Sequence, residues 1–180
     1  MHLDRRLTAL CVLTLSMVAC APMLSSPPVV QLKDGEMALP ADYKSWAKFL
    51  SAVQRSDAKQ VREIYMNTKA TAGTAAGGFP NGTLFVMENY AAAANADGTL
   101  KQGADGKLVK GDLLRVFMMG KNEGWGQSAP DGLKNGDWIY TAYLANGTRA
   151  ADPTVACRAC HLPLVTKDFV HRYDEHFRQR

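Results

Sequence analysis

The stretch Cys157-Arg158-Ala159-Cys160-His161 constrains this chain more than any other. Two thiols three positions apart, followed at once by an imidazole, form the pattern of covalent haem attachment. Each thiol adds across one vinyl group of the porphyrin, and the adjacent His is held beneath the iron as its axial ligand. A chain carrying this motif has to fold a pocket around a large, flat, apolar group. Here it has to do so with a motif close to its C-terminal end. The expected cofactor is one covalent haem c per chain, bound through Cys157 and Cys160, with His161 as the proximal metal ligand.

Haem is attached to such sequences outside the cytoplasm, and the N-terminal residues carry an export pattern. Arg5 and Arg6 form a short basic region, residues 7–18 an apolar run too short for a comfortable membrane span, and Ala19 and Ala21 supply small residues. Residues 1–19 read as a secretory signal peptide. Met17-Val18-Ala19-Cys20 is similar to the lipobox of bacterial lipoproteins, which makes Cys20 the expected lipidation site. The alternative is ordinary cleavage after Ala21, which would leave Pro22 first after the cut. Ala21 directly after the lipid cysteine implies sorting to the outer membrane. The expected location is the periplasm, with a lipid anchor. Cys11 lies in the signal, so Cys157 and Cys160 are the thiols left in the domain. A disulfide closing so short a loop does little for a fold.

Charge excludes one class of partner. The formal net charge is +4, from 21 basic and 17 acidic residues, and the lysines and arginines are scattered. No basic stripe marks a nucleic-acid surface, so no nucleic acid is expected as a partner. A chain of 180 residues is enough for one domain. Residues 20–40, rich in Pro, Ser and polar side chains, read as a tether. Residues 41–180 read as the haem domain.

The expected fold is α+β and mainly β, an antiparallel sheet with an N-terminal helix and a short C-terminal haem-attachment helix. Asp42 is placed to cap the first helix, with Tyr43, Trp46, Ala47, Leu50 and Val53 at helical spacing. Residues 61–67 lean to a strand by their β-branched and aromatic content. Residues 71–78 are a small, glycine-rich loop without a phosphate-binding pattern. The turn Phe79-Pro80-Asn81-Gly82 leads into a strand over residues 83–90. Residues 91–112 form a protruding loop with turns at Asp97-Gly98 and Asp105-Gly106. Residues 113–119 and 137–144 are two more strands. Arg115 interrupts its apolar run and needs a partner or a route to solvent. The haem motif follows on a short helix that Pro163 limits, and residues 173–180 read as a polar tail carrying His176, with His171 just before it.

Two other chemistries compete for the Cys-rich motif. A zinc site would draw on Cys157, Cys160, His161 and either His171 or His176, but adjacent ligands on a helix point apart, and structural zinc favours two separated ligand pairs. A thioredoxin-like pair would stand early in a βαβ unit, not after the last strand. A C-terminal attachment motif is also found in four-helix cytochromes, whose long helical patterns are missing here.

In its ordered set of pieces the chain resembles the cytochrome P-460 family, which includes the cytochromes c′-β. The pieces are Trp46 in the first element, Phe79-Pro80-Asn81-Gly82-Thr83 before an apolar strand with Glu88, Gly124-Trp125-Gly126, Gly136-Asp137-Trp138, the haem motif, and Asp168-Phe169-Val170. The resemblance implies a periplasmic, mostly antiparallel β fold, a homodimer, and a five-coordinate c-type haem with an open distal face. It implies small nitrogen compounds as ligands or substrates and a redox partner protein. Enzymatic members oxidise hydroxylamine and carry an extra link from a lysine, near the start of the strand after the turn, to the haem. The c′-β members lack the link, have an apolar distal cap and bind nitric oxide. This chain has no lysine between Lys69 and Lys101. The function expected from the resemblance is redox chemistry on hydroxylamine or a related small nitrogen compound; the alternative is a non-catalytic nitric oxide-binding or electron-transfer cytochrome of the c′-β kind. Met66, Met87, Met118 and Met119 could close the sixth position, although core packing is the commoner use of Met. Glu88 and Asp152 are the carboxylates in question as distal bases, each of which also reads as a solvated side chain. No catalytic residue is assigned.

Overall fold

The computed structural model describes residues 30–151 and 154–180. Cys11, Cys20, the rest of the export segment and Asp152 lie outside the described residues. Five antiparallel strands form one sheet in the order of the chain. They are β1 (Ala47–Arg55), β2 (Gln60–Met66), β3 (Thr83–Ala92), β4 (Lys110–Lys121) and β5 (Trp138–Leu144). Two short helices follow, α1 (Val155–His161) and α2 (Tyr173–Arg178), separated by a 3-10 segment, Leu162–Lys167. The fold is therefore mainly antiparallel β with the haem-motif helix at its C-terminal end, as expected.

The N-terminal helix is not formed. A single 3-10 turn, Tyr43–Ser45, leads straight into β1. The reason lies in the register of β1 against β2, which shifts between Lys48 and Leu50 and again between Leu50 and Val53. Ala52 takes a left-handed φ of 50° in the second irregularity. Each bulge adds a residue to one strand and turns the next side chain to the other face. Burial then falls on Phe49, Leu50 and Val53, a spacing that a regular strand never shows and an amphipathic helix does.

Strand pairing places the side chains of alternate residues on two faces. On one face the cross-strand rows are Met66–Phe85–Met119–Tyr140 and Ile64–Met87–Phe117–Ala142, followed by Arg62–Asn89–Arg115. The C-terminal segment covers this face, with Val170 and Tyr173 joining Phe49, Phe79, Phe85 and Trp138 in its core. On the other face Tyr65, Val86, Val116, Met118, Ile139 and Tyr143 pack against Met37 and Tyr43. The residues expected to form the end of a tether are thus part of the domain. Met37 is buried, its carbonyl accepts from the Tyr143 hydroxyl, and the Gly35 N–H donates to the Tyr140 carbonyl at 2.7 Å.

Residues 173–180 are not a polar tail. Tyr173 and His176 are buried, and the His176 ring stacks on Phe49 with centroids 4.3 Å apart. Tyr173, His176 and Phe177 recur at i, i+3 and i+4 on α2, which is the spacing of one buried helix face. The loop between β3 and β4 does protrude, with bridges Ala94–Leu100 and Gln102–Leu108 around the two Asp-Gly turns.

Candidate haem site

α1 carries its three functional side chains on one and a half turns. Arg158, the first residue between the two cysteines, is 1% exposed and anchors the helix. Its Nε and Nη2 donate to the two carboxylate oxygens of Asp34 at 2.6 and 2.8 Å. Nη2 also reaches the Trp138 carbonyl at 3.2 Å and Nη1 the Leu133 carbonyl at 3.3 Å. The Asn135 amide donates back to the Arg158 carbonyl at 3.2 Å. A two-pronged guanidinium–carboxylate pair fixes direction as well as distance, so α1 cannot turn about its axis without breaking it. With Arg158 pointing into the protein, Cys157, Cys160 and His161 are left on the wall of an adjoining cavity.

His161 is set by its neighbours. Its Nδ1 lies 2.7 Å from the Phe169 carbonyl. A carbonyl only accepts, so Nδ1 carries the proton and Nε2 keeps its lone pair, the tautomer a metal-binding imidazole needs. Burial lowers the His161 pKa to about 4, against a partial rise from the Phe169 carbonyl, and His171 lowers it further. The ring is neutral at neutral pH. The carbonyl is aimed by two successive left-handed residues, Asp168 (φ 49°) and Phe169 (φ 57°). Asp168 is held in that conformation by Lys121 Nζ at 2.9 Å, Trp138 Nε1 at 3.2 Å and the Phe79 N–H at 2.8 Å. The Asp-Phe-Val and Phe-Pro pieces of the sequence therefore meet in one clamp behind His161.

The cysteines are free thiols, Cys157 half-buried and Cys160 exposed. Burial, and then Asp34, pushes the Cys157 thiol up. Cys160 Sγ lies 3.4 Å from His171 Nε2. His171 is thus exposed, as expected, but borders the cavity instead of trailing away. Among the described residues no group of three or more His, Cys, Asp or Glu side chains converges on a point where a bare metal ion could sit.

The cavity has a volume of about 660 Å³. Its sheet side is the two apolar rows described above and the polar row beside them. Phe49, Phe85, Met87, Phe117 and Met119 line it, together with Arg62 and Asn89. The Tyr140 hydroxyl is buried there without a partner among the described residues. An apolar slot of this size, with two thiols and a correctly tautomerised imidazole on one wall, fits a haem. No lysine lines it. Lys69 is exposed, with its stem beside Gly82.

Other sequence candidates separate cleanly. Met87 and Met119 border the cavity, whereas Met66 is packed in the core on the same face and the Met118 side chain packs on the other face of the sheet. Glu88 is neither a solvated carboxylate nor a distal base. It is 1% exposed on the opposite face and accepts hydrogen bonds from the hydroxyls of Tyr43, Tyr65 and Tyr90 at 2.8, 2.9 and 2.7 Å. Burial pushes the Glu88 pKa up, but the three phenols and Lys44 outweigh it and hold it below the usual range. Sequence reasoning missed Arg158 and Asp34, whose pairing joins positions 124 residues apart. It also missed Arg62 and Asn89. The one sequence signal for them was a polar residue breaking each strand's apolar alternation.

Residues 40–172 match the family model described as Cytochrome P460. Comparison with curated proteins finds no match.

Proposed function

Because the chain belongs to the cytochrome P460 family, we propose that it is an exported haem c protein that binds small nitrogen ligands, nitric oxide first among them, at an open iron position. Cys157 and Cys160 would hold the haem through thioethers and His161 through Nε2. When bound, the haem would supply an iron able to take a small ligand and a one-electron couple. The chain's own residues do the rest. Burial keeps the His161 imidazole neutral, and the Phe169 carbonyl beside Asp168 fixes its tautomer and orientation. The apolar rows exclude water, which favours an uncharged diatomic ligand over a hydrated one. The observation that carries this reading is the lysine-free cavity lining, since no lysine borders the space where a second covalent link to the haem would form.

Redox chemistry on hydroxylamine is the second reading. The family membership supports it, as does the placement of Arg62 and Asn89 in the lining, where polar groups could orient a substrate. The proposal extends to the setting: the periplasm, a lipid anchor at Cys20, a homodimer, and a redox partner protein to exchange electrons. The test is one preparation of exported protein. An intact mass equal to the processed chain plus one unmodified haem, an ordinary c-type spectrum, and nitric oxide binding without hydroxylamine turnover are expected. Turnover of hydroxylamine with an electron acceptor above that of free haem, or a mass and spectrum showing a third covalent link, would replace the first reading with the second. A chain exported without covalent haem would sink both.

A further inference from the structure

Arg62 and Asn89 are directly opposed across β2 and β3, and both side chains line the cavity. With Arg115 they make up the polar row at the end of two apolar ones. Their unmet needs differ in kind, a donor at Arg62 and an acceptor at Asn89. Asn89 is 6% exposed, and its Oδ1 is buried with no hydrogen-bond partner. Arg62 is half-buried, and its Nε is buried with no partner either. No carboxylate among the described residues pairs with it. A half-buried cation without a carboxylate partner carries a desolvation cost that a bound anion would offset.

The neighbouring charges do not meet the need. Arg55 is satisfied by Asp57, with bonds of 3.0 and 2.8 Å. Arg172 is satisfied by Glu175 at 2.6 Å. Glu63, the residue after Arg62, points to the other face, where Lys48 Nζ lies at 3.0 Å and Lys110 Nζ at 3.8 Å. Burial lowers the Arg62 pKa and repulsion from Arg55 adds to that, while Asp57 and Cys160 oppose it at a distance and Arg172 lowers it slightly further. Arg62 is thus the cation in this group left for something that enters the cavity. An arginine of this kind binds a carboxylate or an oxyanion, whose oxygens match its donors. The unpartnered Asn89 Oδ1 only accepts, so it would take a proton carried by the ligand, while the amide N–H groups can donate to an anionic oxygen.

We propose that Arg62 and Asn89 form a built subsite for a single anionic oxygen group, a carboxylate or a small oxyanion, within the haem cavity. The proposal rests on the reading that this cavity holds haem. The group has two sources: a carboxylate of the haem itself, or a free oxyanion such as nitrite.

The experiment uses exported, haem-loaded full-length chain, with haem content fixed first by intact mass. That step fails alone if the haem reading fails. Wild type, Arg62→Gln, Arg62→Lys and Asn89→Leu are then compared by two readouts: nitrite titration followed in the Soret band, and the midpoint potential. If the subsite takes a free oxyanion, Arg62→Gln weakens nitrite tenfold or more, Asn89→Leu weakens it less, and Arg62→Lys restores most of the affinity. If it takes the haem's own carboxylate, nitrite affinity stays within twofold. The midpoint potential of Arg62→Gln then falls, because a cation that favoured the reduced haem is gone, and Arg62→Lys restores it. Unchanged nitrite affinity and unchanged potential in both Arg62→Gln and Asn89→Leu, at wild-type haem content and Tm, overturn the proposal. Should Arg62→Gln fail to fold, Asn89→Leu and Arg62→Lys are read on the same two scales.

Discussion

Removing the Asp34 carboxylate should unlock the helix that carries the haem motif. In Asp34→Ala, Arg158 stays 1% exposed and loses its two shortest bonds, 2.6 and 2.8 Å. Breaking a buried ion pair by removing one partner costs about 3–5 kcal/mol, because the remaining charge is left uncompensated. Two features place this case at the lower end. The Asp34 side chain is 21% exposed, so some of its charge is already screened. Arg158 also keeps the Leu133 and Trp138 carbonyls. The expected loss is therefore about 3 kcal/mol, or roughly 6–12 °C in Tm for a domain of this size. The assay is urea and thermal unfolding of haem-loaded protein, with Arg158→Met and the double variant closing the cycle. Arg158→Met removes the buried cation together with its need, so adding Asp34→Ala to it should cost only what the Tyr140 N–H and the Thr154 hydroxyl lose, about 1–2 kcal/mol. A loss under about 1 kcal/mol for Asp34→Ala, or strictly additive single effects, would refute the reasoning. A second signal accompanies the first: Asp34→Ala should lower the fraction of exported chain that carries two thioethers, since α1 no longer presents both thiols in one orientation.

Three further outcomes are expected. Cys157→Ala combined with Cys160→Ala should leave no haem on the denatured chain in a haem-stained gel, and retained haem would reveal a second covalent link. Glu88 is held below the usual carboxylate range in the folded state, so its contribution to stability is complete above the unfolded value of about 4.3 and is lost as pH falls through the folded one; Glu88→Gln should flatten the acid limb of a plot of unfolding midpoint against pH, and an unchanged slope would contradict this. A Cβ at Gly126 would sit 1.8 Å from the Gly136 carbonyl oxygen, which is backbone and cannot swing aside. Gly126→Ala should therefore cost about 3 kcal/mol or more, whereas Gly132→Ala, in open space at φ +80°, should cost only the 1–2 kcal/mol of a left-handed backbone, both measured as shifts in urea midpoint.

Legibility in the sequence followed the range of the interaction that decides each feature. β3, β4 and β5 were readable because their apolar and β-branched runs are bounded by turn residues nearby. β1 was not, because two bulges against β2 reset the alternation, and a bulge depends on the partner strand. The tail was misread because His176, polar by type, is buried by stacking on Phe49, 127 residues away in the chain. Glu88 looked like a solvated carboxylate because the three phenols that bind it stand on different elements.

By itself the sequence carried the motif on which the proposed haem attachment rests. Cys157, Cys160 and His161 lie within five consecutive residues, and no tertiary contact is needed to bring them together. It also determined the strand-rich class, through local periodicity and turns. Only the tertiary structure decided how that motif is held. The direction of α1 depends on a carboxylate at Asp34, the tautomer of His161 on a carbonyl at Phe169, and the polar row in the cavity on the register of β2 against β3. Each depends on residues distant in sequence, and which of them meet is set by strand pairing and burial, terms that exist only once the chain has folded.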